Sequence, residues 1–127
     1  AAELNKDGSR TFAGTDQVFD AQLQLHGNLG NETATSNYVR LSQVRDIAWV
    51  LQVNFQAPYA LTLKEIDISQ ATSGNYPLLR TIDLSDITDD LQWPNLQFEI
   101  TPDDQTLLLS VPDKIIVRSL AVQNPVN

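Results

Sequence analysis

The chain has 127 residues, 42% of them hydrophobic, and carries sixteen acidic against eight basic residues for a net charge of −8. That length bounds it to one domain, and the charge has the wrong sign for nucleic acid or an anionic membrane surface, which are bound through Lys and Arg. Cysteine is absent, which excludes a disulfide framework, a thiolate metal site and a cysteine nucleophile.

Near the start, Glu3, Asn5, Asp7 and Gly8 match positions 1, 3, 5 and 6 of a calcium-binding loop, but the closing acid at position 12 is replaced by Gly14. Asp7-Gly8 is equally a tight-turn dipeptide, so a turn is expected here and no metal. Residues 1–16 form a possible N-terminal arm. The chain begins Ala1-Ala2 and holds no methionine, as expected of a processed end.

From residue 18 onward apolar residues recur at every second position, the period of a strand. VFDAQLQLH places Phe19, Ala21, Leu23 and Leu25 in one phase, with Gln22, Gln24 and His26 on the polar side. Residues 26–37 read as a polar loop containing the glycosylation sequon Asn31-Glu32-Thr33. NYVRLS follows, then IAWVLQVNF, where Ile47, Trp49, Leu51, Val53 and Phe55 share a face and define the central core strand. In ALTLKEIDI, Leu61 and Leu63 fall on one parity and Ile66 and Ile68 on the other; a β-bulge near Lys64-Glu65 would bring all four into one core. After a polar loop at 69–77 come PLLRTIDLS, a helical turn at 85–91 capped by Ser85, then NLQFEI, a hairpin loop at Asp103-Asp104, TLLLSV and KIIVRSLAV. The expectation is an all-β fold, an antiparallel β-sandwich or jelly roll of about eight strands, in a single domain over 1–127 with no long helix. No run approaches the ~18 apolar residues of a membrane-spanning helix.

Chemistry is thinly represented. His26 is the only histidine, and no nucleophile elbow accompanies it. Glu65 and Asp67 share a strand face, but adjacent acids there are expected to be solvated. Asp83, Asp86, Asp89, Asp90, Glu99, Asp103 and Asp104 lie in a stretch without Lys or Arg, read as solvated turns and caps. An enzyme is the least supported class, and no cofactor is expected.

Several strands are apolar on both parities. Ala48, Val50, Leu108 and Ile116 lie between the residues of the core series, so the outer sheet face needs a second cover, either a neighbouring subunit or the chain's own loops at 26–37 and 69–77. With the subunit as cover, the chain is expected to be a non-catalytic structural subunit of an extracellular or virion assembly, a homo-oligomer of capsid-decoration or fibre type. The alternative is a carbohydrate-binding module using Tyr59, Tyr76 and Trp93, with calcium assistance through the acidic loop.

Overall fold

The computed structural model describes residues 3–13, 16–30, 35–54, 60–90, 96–111 and 114–121. Among these are eleven strands: β1 (Glu3–Leu4), β2 (Thr11–Ala13), β3 (Gln17–Phe19), β4 (Leu25–Asn28), β5 (Thr35–Leu41), β6 (Ile47–Asn54), β7 (Ala60–Asp67), β8 (Leu78–Asp83), β9 (Gln97–Ile100), β10 (Thr106–Val111) and β11 (Lys114–Ser119). They form three antiparallel sheets, ordered β1-β2-β3-β4, β5-β6-β7-β8 and β11-β10-β9. A 3-10 helix, Ser85–Asp90, follows β8; no helix among the described residues is long and apolar enough to cross a membrane.

The alternation in β6 sorts its residues between two cores. Ile47, Trp49, Leu51 and Val53 pack with Leu61 and Leu63 of β7, Phe98 of β9 and Leu107 and Leu109 of β10, closed by Leu84, Ile87, Leu96 and Leu120. The opposite parity, Ala48 and Val50, packs with Val39, Leu41, Ile66, Ile68 and Val18, and Phe12, Leu29 and Tyr76 lie against that second cluster. Each fully buried aliphatic side chain contributes about 1.5–3 kcal/mol, so two clusters on one sheet explain why β6 is apolar throughout.

The cover over Ala48 and Val50 therefore comes from the chain itself. Both are buried, 0% and 2% exposed, beneath residues of β2, β3 and the segments that follow β4 and β7, which leaves them no surface to offer a neighbour. On β11 the parities are the reverse of those expected: Ile116 packs against the first core, while Ile115 and Val117 point outward at 66% and 59% exposure. Leu108, paired with Val117 across the ladder, is half-buried.

The change of phase in β7 has the same origin. Leu61 and Leu63 belong to the first cluster and Ile66 and Ile68 to the second, so the strand serves both faces. Its ladder with β6 runs without interruption from Ile47↔Asp67 to Asn54↔Ala60. The bulge that exists lies in β8: Glu65 pairs with Arg80 and Ile66 with Leu78, passing over Leu79.

Residues 18–26 form a hairpin where one strand was expected. The Asp20 carboxylate accepts the N–H groups of Gln22 and Gln24, each at 2.9 Å, and Leu23 takes φ = 61°, so the chain reverses between β3 and β4. Leu23 and Leu25 are exposed in consequence. At the N-terminus, residues 3–13 make the paired strands β1 and β2, and Arg10 anchors them by donating from Nε to the Ile68 carbonyl and from Nη2 to that of Ser69, each at 2.8 Å.

Candidate functional site

The densest polar arrangement surrounds Trp49. The loop after β5 brings Arg45 to two buried carboxylates, with Arg45 Nε 2.9 Å from Asp104 Oδ2 and Arg45 Nη2 2.7 Å from Glu65 Oε2. Arg80 of β8 reaches the same glutamate, Nε to Oε1 at 2.8 Å, and donates from Nη2 to the Leu120 carbonyl at 2.6 Å. The two guanidinium groups lie 5.9 and 5.7 Å from the Trp49 ring centroid. Trp49 Nε1 and Ser42 Oγ both donate to Asp104, at 3.2 and 2.6 Å.

Two acids and two bases thus neutralise one another at the end of the first core, with each acid's oxygens occupied by donors. A buried charge is tolerated only in this condition. The arrangement locks β6, β7, β8 and the β9–β10 turn together, and it offers no free base, nucleophile or open coordination position. Glu65 and Asp104, expected to be solvated, are instead 6% and 5% exposed. The sequence offers one partial signal, the strand parity that Glu65 shares with Leu61 and Leu63, and none that joins these separate segments.

The second polar arrangement joins the N-terminal sheet to the middle one. His26 Nδ1 lies 2.7 Å from Tyr76 Oη, and the two rings stack with centroids 5.6 Å apart. Gly27 makes that approach possible, since a Cβ there would sit 2.5 Å from Tyr76 Cζ. Burial raises the Tyr76 hydroxyl to about 12, against an opposing effect of Arg10; burial and then Arg10 lower His26 below its ordinary 6.5. Tyr76 is thus a packed ring, part of the seal over the second core. Tyr59 and Trp93 lie outside the described residues, so the expected row of aromatic rings is represented by Tyr76 alone.

The calcium-like segment is a turn. Asn5 Oδ1 accepts the Arg10 N–H and Asp7 Oδ1 that of Ser9, each at 3.0 Å, while Gly8 takes φ = 75°. Glu3 Oε2 is directed to the N–H of Leu41 at 3.3 Å. Asp7 is held down to about 2 by the Ser9 hydroxyl first, then by the Ser9 N–H and Lys6.

The acids of the later stretch are similarly engaged. Asp83 accepts the Ser85 N–H at 2.9 Å and so caps the 3-10 helix, the role expected of Ser85. Asp86 pairs with Arg118 at 2.6 Å, Glu99 with Arg40 at 3.2 Å, and Asp103 accepts from the Thr101 hydroxyl at 2.7 Å. The side chains of Asp89 and Asp90 lie outside the described residues. A cleft of about 80 Å³ opens between Glu3, Arg40, Glu99 and Asp104, well below the roughly 300–1,000 Å³ of a small-molecule site. The chain matches no protein-family model, no curated protein and no solved structure.

Proposed function

We propose that this chain is a non-catalytic structural subunit, a β-sandwich with an added N-terminal sheet, that associates with copies of itself in an extracellular or virion assembly of capsid-decoration or fibre type. The observation that carries this reading is the outer face of β10 and β11, where Ile115 and Val117 stand out at 66% and 59% exposure beside the half-buried Leu108. Exposed β-branched residues side by side on a strand suit a protein contact. The polar groups most able to do chemistry are committed elsewhere: the sole histidine to Tyr76, and both buried acids to arginines. Carbohydrate binding, the alternative reading, asks for an outward ring, and Tyr76 is stacked on His26 instead.

Light scattering over a wide concentration range tests the reading. The wild type should associate as concentration rises. Ile115→Lys and Val117→Lys should keep the wild-type melting temperature and remain monomeric, because a charge at an exposed site costs the fold little but would be stripped of water in a contact. A wild type monomeric at every concentration overturns it.

A further inference from the structure

The outer edge of β11 specifies how two copies would meet. In the sheet order β11-β10-β9 no strand among the described residues pairs with its outer side. Strand edges invite pairing with another chain, and proteins usually obstruct them. Among the described residues, four other sheet edges are obstructed. β8 is bulged at Leu79, the β4 edge is met by the Asn28↔Asn75 bridge, the β5 edge has its Leu41 N–H directed to Glu3, and β9 is bridged by Glu99 to Arg40. β11 carries no proline, and its six-residue ladder with β10 is unbroken.

We propose that β11 pairs antiparallel with β11 of a second copy about a two-fold axis at Ile116, which joins two three-stranded sheets into one. The inference rests on the assembly reading above and adds its geometry. Residues directly opposite in an antiparallel pair share a face. With the axis at Ile116, each outward Ile115 therefore faces Val117 of the second copy, giving two aliphatic cross-strand pairs. Moving the axis to Val117 would set Ile115 against Ser119 and lose both. The like-charge juxtaposition of Lys114 with Arg118, which the two-fold axis repeats on both sides, is relieved by Asp86, 2.6 Å from Arg118.

Charge selects a second copy of this surface over other orientations. The whole chain is at −8, yet residues 106–121 hold Lys114 and Arg118 against the single acid Asp113. Two copies meeting here bring together a segment of net positive charge instead of two acidic stretches of the chain. A six-residue edge is less than a standard interface of about 1,200–2,000 Å², so the pairing is weak and depends on concentration.

Because the chain has no cysteine, single cysteines report the register directly. Ile115→Cys and Val117→Cys are purified separately, checked for wild-type melting, and oxidised alone and as an equimolar mixture, with products identified by non-reducing mass spectrometry. Directly opposite positions come within disulfide reach, whereas the diagonal neighbours, ~7–8 Å apart, do not. The mixture should yield the 115–117 disulfide at least several-fold above either homodimer. Wild-type association by light scattering with no preference for the mixed disulfide would overturn the edge pairing and leave the assembly reading standing; a strictly monomeric wild type would overturn both.

Discussion

Trp49 donates its indole N–H to the buried carboxylate of Asp104 across 3.2 Å, from the middle of the core strand to a turn residue 55 positions later. Asp104 holds φ = 62°, a left-handed conformation that Asp adopts at little cost, and this aims its side chain inward. Three donors converge on it: Trp49, Ser42 and Arg45. Asp104→Ala should therefore cost about 3 kcal/mol, near the low end for a broken buried ion pair because Arg45 keeps access to water. Asp104→Asn retains the turn and an accepting oxygen, and should cost less than half as much. Urea denaturation of the two variants measures this. Equal losses would mean that charge, and not hydrogen bonding, dominates at Asp104.

Leu23 is placed where leucine is a poor choice. It takes φ = 61° in the turn between β3 and β4, and its side chain is 71% exposed. A left-handed conformation costs a residue with a Cβ roughly 1–2 kcal/mol, which glycine avoids. Leu23→Gly should thus stabilise the protein by about 1 kcal/mol after the added flexibility of the unfolded chain is counted. A destabilised variant in thermal melts would show that the leucine makes a contact worth more than the strain.

The contact of Gly27 with Tyr76 calls for a double-mutant cycle. Gly27→Ala would place a methyl group 2.5 Å from the Tyr76 ring, overpacking that costs about 1–3 kcal/mol. Tyr76→Leu removes the aromatic ring and forfeits the bond to His26. In the double variant the alanine should cost far less than it does alone. Strictly additive losses would mean that the strain at Gly27 comes from elsewhere.

The middle of the chain was legible because alternation is strong where a strand has one face in a core. Ile47, Trp49, Leu51 and Val53 fall together as their spacing implies. Doubled apolar runs were ambiguous for a physical reason: Ala48 and Val50 look the same whether a subunit or the chain's own N-terminal sheet covers them, and only the position of β1–β4 decides it. The β3–β4 reversal was hidden because Phe19, Ala21, Leu23 and Leu25 keep perfect period-two spacing across a turn. What marks the turn is Asp20, whose carboxylate captures two backbone N–H groups. The buried charge arrangement escaped notice because its members come from five separate segments and carry no local signature.

A repeated local signature predicts the response to acid. Asp7-Gly8-Ser9, Asp67-Ile68-Ser69 and Asp83-Leu84-Ser85 each have an aspartate accepting the N–H of the serine two residues on, at 3.0, 2.8 and 2.9 Å. In all three the serine hydroxyl is the largest cause lowering the carboxyl below its ordinary 3.8, followed by the backbone N–H. A carboxyl whose pKa is depressed by folding contributes stability that is fully present above its unfolded value and is lost as pH falls through its folded one. For Asp7 that window runs from about 3.8 down to about 2. His26 acts with the same sign in a separate window, since folding lowers it below 6.5 through burial and then Arg10, with Asp20 opposing; the neutral form is favoured, and its contribution is lost as pH falls below 6.5. The single imidazole makes this measurable by NMR without assignment. Its midpoint should lie below 6.5, and thermal stability should decline in two steps, one shallow step beginning near that value and a steeper one below pH 4. A histidine midpoint above 6.5 would show that Asp20 outweighs burial and Arg10 at the seam, and a melting temperature constant down to pH 2.5 would remove the three aspartate turns from the account of stability.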